Sequence, residues 1–325
     1  MIPSTLISRA ISKFNSDKHC QTYFTRDQLF STMFGQLNNC HTLREITLGI
    51  DQSPEFLYDV GLKQSPAKST MSDGNKKRNY QVFETIYKML LQHYSTTLRH
   101  REGYQVIDEL KGKVIKIIDS SMMTVCLSLF SWAEYRTAKG GIKIHVSLDE
   151  SCMVPDIINI SEAKVSDRRG VDDFRYPKDT IIVDDRGYFD CKLFKQRVDD
   201  ENWFVCRIKD NILYEVICER ELPDKDHQHV LLDEEIRLTG KSAVDTKMNK
   251  VRLRRIVVYI ENGSRTVEII TNNMEWKAST IAELYRRRWD IEVFFKLIKQ
   301  NLQIKTFIGT SENACKSQIW IAMIC

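Results

Sequence analysis

The apolar residues of this 325-residue chain change their spacing twice, and that change limits the folds open to it. Up to about residue 105 they recur every three or four positions, as in Gln28–Leu37 and Tyr80–Tyr94, the period of amphipathic helices. From residue 113 short apolar or alternating runs take over: Val114–Ile118, Ile142–Leu148, Pro155–Ile160, Thr180–Val183 and Trp203–Ile208, with a helix expected over Tyr188–Val198. Strands in succession, then strands alternating with helices, indicate an α/β fold with a mixed sheet covered by helices. Residues 213–256 are highly charged and offer no obvious contribution to a core. Arg255–Ile260 and Thr266–Ile270 then flank Asn262-Gly263, a hairpin signal, so the stretch reads as a β-rich insertion. Helical spacing returns at Thr280-Ile-Ala-Glu283, which fits a capping box. The organisation expected is an all-helical region over 1–105, a first core part over 106–212, the insertion over 213–272, and a second core part over 273–325.

The helix opening there carries the chemistry. At about 100° per residue, Tyr285, Arg288, Glu292, Lys296 and Lys299 share roughly 80° of arc, while Leu284, Ile291, Phe294, Leu297 and Ile298 lie opposite. A solvated basic face with i,i+4 pairs such as Arg288–Glu292 and Glu292–Lys296 is the plain account of this stripe. The alternative is that a lone carboxylate among cations sits beside a phosphate backbone because it holds a metal ion. Residues 285–305 carry six Lys/Arg against two acidic residues, an excess equal to the +4 of the whole chain. Asp119 follows an apolar run and precedes Ser120-Ser121; Asp185 follows Ile181–Val183 and precedes Arg186-Gly187, where Gly permits a sharp turn. Singly, each Asp is an ordinary cap at a strand end. Together with Glu292 they can meet at the edge of a mixed sheet as hard oxygen ligands for Mg²⁺, with Mn²⁺ in substitution, rather than zinc. Asp184 competes with Asp185, but neighbours on a strand face opposite ways, so only one of them can serve.

In the helical region Gly61 can form a turn and Ser65-Pro66 can start a short helix bearing Lys68, Lys76, Lys77 and Arg78. That is the outline of a helix-turn-helix DNA reader, and also of a plain helical bundle; Gly74 weakens the helix. Nine cysteines form no CxxC pair and read as reduced thiols in a cytosol. No signal peptide and no 18-residue apolar run is found, so a cytoplasmic, nucleoid-associated protein without membrane contact is expected. No GxxxxGK[ST] loop appears, which speaks against ATP-driven action. His227 and His229 read as solvent-exposed, and Arg168-Arg169-Gly170 as either a DNA contact or a surface turn.

Tyr285-x2-Arg288-x3-Glu292-x6-Lys299 resembles the Tyr-Arg-Glu-Lys signature of the insertion-sequence-4-type transposases, a branch of the Asp-Asp-Glu transposases. Asp185-Arg-Gly-Tyr188 is similar to the second-Asp motif of that group, Ile117-Ile-Asp-Ser-Ser121 to the first, and Gly140–His145 to the stretch after it. Gln28–Ile50 and Gly61–Arg78 resemble its helical head. The resemblance implies a ribonuclease-H-like core interrupted between the second Asp and the Glu by β-strands, for which the 107 residues from Asp185 to Glu292 leave room. It also implies divalent ions held by Asp119, Asp185 and Glu292, with Tyr285, Arg288 and Lys299 gripping phosphates near the cut. The partners implied are transposon terminal repeats and target DNA, bound by a homodimer in the active complex. The reactions implied are hydrolysis at the element ends and strand transfer. Some relatives stack a flipped base on a Trp; Trp276 and Trp289 are candidates by proximity, with a core position the readier account of Trp289. Ser317–Cys325 reads as an apolar helix that should continue or pack under something further on, so the chain is expected to be C-terminally truncated. The alternative function is then a catalytically inactive, truncated DNA-binding protein; a nuclease that cuts without joining is a third.

Overall fold

The structure is a computed structural model that describes residues 2–98, 105–125, 130, 132–136, 139–222, 230–260, 265–301 and 307–325. Six helices come first: α1 Ser4–Phe14, α2 Thr25–Leu37, α3 Leu43–Asp51, α4 Pro54–Val60, α5 Lys68–Lys77 and α6 Gln81–Tyr94. Local signals set several of their ends. The Thr42 hydroxyl accepts from the Glu45 amide (3.1 Å) while Glu45 returns to the His41 amide (2.7 Å), closing the first turn of α3. Pro54 occupies the first turn of α4, and Gly61 ends it at φ 67°, a left-handed conformation that glycine adopts without penalty. The expected Ser65-Pro66 start is corrected: α5 begins at Lys68 behind Ala67, and Ser65 instead donates to the Thr47 carbonyl (2.7 Å), tying the loop to α3. Gly74 allows close packing, since a Cβ there would lie 3.0 Å from the Tyr23 ring and 3.3 Å from Gln28 and Arg78.

The remaining elements are β1 Ile115–Val125, β2 Glu134–Arg136, β3 Lys139–Asp149, β4 Val154–Glu162, α7 Asp167–Gly170, β5 Ile181–Asp184, α8 Cys191–Asp199, β6 Trp203–Arg207, β7 Tyr214–Glu219, β8 Val230–Leu238, α9 Lys241–Asp245, β9 Leu253–Ile260, β10 Arg265–Thr271, α10 Ala278–Arg287, α11 Trp289–Asn301 and α12 Glu312–Ile324. The strands form one mixed sheet in the order β2-β3-β1-β5-β6-β10-β9-β8-β7, with β4 on β3. β1, β5 and β6 run parallel; β3 beside β1 and β10 beside β6 run antiparallel. β1 does not end at Asp119 as its apolar run suggested. Its partner β3 continues the ladder from Lys116↔Asp149 to Val125↔Gly140, so Asp119 lies mid-strand.

Segment 213–272 extends this same sheet, because β10 pairs with β6 (Ile269↔Arg207). The expectation that it adds nothing to the core is wrong: Val230, Ile236, Leu238, Leu253 and Ile256 are buried. Its charges conceal the alternation because they pair across strands, Arg254 with Asp233 (2.7 Å) and Arg255 with Glu234 (2.7 Å). The Asn262-Gly263 tip, Cys126, His227 and His229 lie outside the described residues. The eight described cysteines are free.

One apolar core joins Ile7, Leu29, Val82 and Phe83 of the helical region to Ile117, Ile142 and Ile144 of the sheet, to Ile291 of α11, and to Ile319 and Trp320 of α12. The apolar helix α12 packs against the earlier helices α2, α5 and α6. Gln36 of α2 donates to the Gln318 carbonyl (2.8 Å), and Asn313 holds the Arg78 carbonyl (2.6 Å). Among the described residues no helix is long and apolar enough to cross a membrane.

Candidate active site

The parallel register of β1 and β5 pairs Ile117 with Val183. Two residues beyond that pair stand Asp119, still within β1, and Asp185, just past the end of β5. Alternation carries Asp184 to the other face, where it is fully buried and ion-paired with Arg197 of α8 (2.5 Å), so Asp185 is the one free to serve. The Asp185 carboxylate accepts from the Gly187 amide (2.6 Å) and opens a single helical turn over Arg186–Tyr188. The Asp119 carboxylate accepts from the Ser120 amide (2.8 Å). Its pKa is pushed up to about 7, first by burial and then by the charges of Asp185 and Glu292, against the Ser120 amide and Arg288. Asp185 and Glu292 thus both lie within electrostatic reach of Asp119.

Glu292 arrives from the third direction. α10 starts at Ala278, and the capping box expected from Thr280 and Glu283 does not form. Glu109, ahead of β1, takes that place: it accepts from the Lys277 amide (3.2 Å) and from the Thr280 hydroxyl. Glu283 turns instead to Arg286 and Arg287 (2.7 and 3.1 Å). Arg287 also reaches the fully buried Glu150 at the end of β3 (2.9 Å), which clamps α10 to the sheet. Sequence reasoning missed Glu109, Glu150 and Arg197, because each pairs with a residue that no local pattern connects to it.

The expected single helix is two, broken at Arg288, whose amide bonds the Tyr285 carbonyl (3.1 Å) three residues back while its own carbonyl takes the Ile291 amide (3.3 Å). Glu292 accepts from Arg288 (2.7 Å), so the plain i,i+4 pair is present. The Tyr285 ring is a wall of the core, 8% exposed, with the Arg288 guanidinium 5.8 Å from its centroid. Burial raises the Tyr285 phenol's pKa, with Arg288 and Arg207 opposing. Lys299 donates to the Met122 carbonyl (3.2 Å), tying α11 to β1, and Lys296 is exposed. The break shifts the buried phase: Ile291, Phe295 and Ile298 face inward, whereas Leu297, expected inside, is 51% exposed. Trp289 is 60% exposed rather than in the core, and Trp276 is buried against Trp203.

Lys68, Lys76 and Lys77 of α5 are exposed. Arg78 is corrected: it is 7% exposed and donates inward to Gln28 (2.5 Å) and the Tyr23 carbonyl (2.8 Å), so it braces α2 and α5 rather than facing DNA. Arg168 pairs with Asp172 and Asp190, in keeping with a surface turn.

Among the described residues no three His, Cys, Asp or Glu side chains are gathered into a ready ion shell. What fits a hard divalent cation is the donor chemistry: three converging carboxylates, one of which keeps its proton to about pH 7. Completing a shell requires Glu292 to turn from Arg288. The best-defined hollows lie elsewhere, one inside around Tyr176 and Arg197, the other an open cleft by Glu215 and Lys250.

Residues 110–325 match the family described as transposase DDE domain, and residues 1–63 match a domain of unknown function (DUF4372). The probable transposase for insertion sequence element IS5377 of Geobacillus stearothermophilus is 26% identical over 257 residues, 79% of this chain and 64% of that protein. The chain thus spans slightly less than two thirds of that relative's length. The putative transposase y4zB of Sinorhizobium fredii is 29% identical over 262 residues, 80% of this chain and 70% of that protein. A piggyBac transposase synaptic complex with hairpin DNA gives a TM-score of 0.45 at 10% identity over 99% of this chain and 73% of that one, a likeness too weak to bear on the fold.

Proposed function

We propose, since this chain belongs to the transposase DDE domain family, that it is the DNA transposase of an insertion sequence, cutting phosphodiester bonds at the element ends and joining them to target DNA. The observation that supports the reading is the register of β1 and β5, which pairs Ile117 with Val183 two residues short of Asp119 and Asp185, together with the electrostatic effect of Asp185 and Glu292 on Asp119. On this reading the sheet is a ribonuclease-H-like core, β7 to β10 are the insertion within it, and Tyr285, Arg288, Glu292 and Lys299 form the signature of the insertion-sequence-4 type. Asp119, Asp185 and Glu292 would hold Mg²⁺ or Mn²⁺, which when bound supplies charge neutralisation at the scissile phosphate and a more acidic attacking water. Arg288, freed from Glu292, offers a planar fork to a phosphate, with Tyr285 fixing the plane of that fork from below. Lys296 adds a point charge on the open side, and Lys299 holds α11 against β1. Lys68, Lys76 and Lys77 present a basic helix face to the terminal repeats, and two copies would act on the paired ends.

Cleavage of a labelled supercoiled plasmid carrying the ends of the encoding element tests this. With Mn²⁺ the wild-type chain should nick at the ends and form strand-transfer products; with EDTA, or in Glu292→Gln, both products should vanish while a gel shift remains. Undiminished cleavage by Glu292→Gln would remove Glu292 from the site. Intact DNA in every lane with the shift present would leave only a DNA-binding protein.

A further inference from the structure

Asp167 has no part in the reading above, yet from α7 it binds the side chain of Ser120, the residue after Asp119, on the opposite face of β1. Its Oδ1 accepts from the Ser120 hydroxyl (2.5 Å) and from the Lys143 ammonium (3.1 Å), which the Val165 carbonyl also holds (2.8 Å). Ser120 is in turn the residue whose amide donates to the Asp119 carboxylate (2.8 Å). Ser120 therefore links the two carboxylates through its own frame, its hydroxyl held by Asp167 and its amide held to Asp119. The other oxygen of Asp167 looks across Gly187. A Cβ on that glycine would stand 3.8 Å from Asp167 Oδ2 and 2.9 Å from Asp185 Oδ1, so the two carboxylates share a gap that any larger residue would fill. The Tyr188 ring closes the floor: it is 1% exposed, and its hydroxyl lies beside Ser120, Asp119 and Asp167. Four separate elements (β1, β3, α7 and the turn after β5) thus converge on Ser120 and the space between Asp119 and Asp185.

We propose that Asp167 is a positioning residue of this site, fixing Ser120 so that the Asp119 carboxylate is held in the orientation in which it takes up a divalent cation with Asp185. The inference rests on the assignment of Asp119 and Asp185 as cation ligands. Carboxylates that orient a ligand from behind contribute about 10–100-fold to metal affinity.

The test is Mn²⁺ binding to the full chain without DNA, followed by loss of the free-Mn²⁺ paramagnetic resonance signal, with circular dichroism to confirm folding. Asp167→Ala and Ser120→Ala should each weaken binding about tenfold. The double variant should be no weaker than the poorer single one, because both break one line of bonds. Asp167→Asn, which keeps an oxygen for Ser120, should recover most of the affinity. Lys143→Met should leave it within about twofold, whereas a merely structural Asp167 would lose as much through Lys143 as through Ser120. Wild-type affinity in Asp167→Ala, or losses that multiply in the double variant, would overturn the proposal. Failure of Asp167→Asn to recover would assign Asp167 to the cation itself and overturn it too. Should Asp167→Ala not fold, wild-type affinity in Ser120→Ala decides against it alone. Absence of Mn²⁺ binding by the wild type, or unchanged binding in Asp119→Asn, would sink the reading of the site as well; loss in Asp119→Asn with full retention in Asp167→Ala and Ser120→Ala sinks only this inference.

Discussion

The carboxyl of Asp119 is pushed up to about 7, chiefly by burial, with Asp185 and Glu292 adding to the shift. In the unfolded chain the same group ionises near its ordinary value of 3.8. Between those values the unfolded state has released the proton and the fold still binds it, so the stability of the metal-free protein falls as pH rises from about 4 to about 7 and levels off above. Asp119→Asn removes the titration, and the metal-free variant should be more stable than wild type at pH 8, on the order of 2 kcal/mol, but not at pH 4. Urea denaturation at the two pH values measures this; an equal gain at both would mean that burial of the charge is not the cause. Arg78 gives the contrasting residue. Its guanidinium is enclosed by Gln28, Tyr23 and Ser16, so Arg78→Ala should cost about 2–4 kcal/mol by leaving those oxygens unsatisfied. Lys76→Ala with Lys77→Ala should cost almost nothing in stability, while lowering the salt slope of DNA binding by about 2. Stability losses of equal size in the two experiments would put Arg78 back on the surface.

At the scale of elements, what was legible depended on whether the signal was local. Short apolar or alternating runs showed β3, β4, β5 and β6, and the helical period showed α2 and α6, because these signals lie within one element. The position of Asp185 was legible as well, since a strand followed by Arg186-Gly187 leaves few places for the chain to turn. The start of α10 was not: Thr280 and Glu283 have capping-box spacing, but the acceptor that serves those donors is Glu109, 171 residues from Thr280. The length of β1 was hidden for a similar reason, since polar Ser120, Ser121 and Thr124 stay in the strand only because β3 supplies their ladder. The break at Arg288 has no Pro, Gly or Ser beside it, and periodicity read straight through it. Glu109→Ala should shorten α10 at its first turn and lower stability by about 1 kcal/mol, the usual cost of a lost cap. Hydrogen exchange at Lys277 to Ile281 would register the fraying; unchanged protection there would show that α10 is held by Arg287 and Glu150 alone.

On the scale of the whole molecule, the helical region and the sheet share their apolar core, and α12 contributes to it. Trp320, 3% exposed, lies 5.6 Å from the Tyr87 ring of α6, in the same core as Ile7, Phe83, Ile117 and Ile319. The apolar faces of α12 are covered by helices encoded some 230 residues earlier, as the bonds from Asn313 to Tyr80 and to the Arg78 carbonyl record. This arrangement bears on the site, because Ile291 and Ile298 of α11 enter the same core and α11 carries Glu292. Trp320→Ala removes the largest side chain at that junction and should cost about 3–5 kcal/mol, the range for a buried aromatic. Because the core is shared, the loss should appear as one cooperative transition at lower denaturant concentration. Probes on α6 and on β1 should lose protection together. If α6 instead unfolded in a separate, earlier step while β1 and Glu292 stayed protected, the helical region would be a domain resting on the sheet, and the orientation of α11 would owe nothing to it.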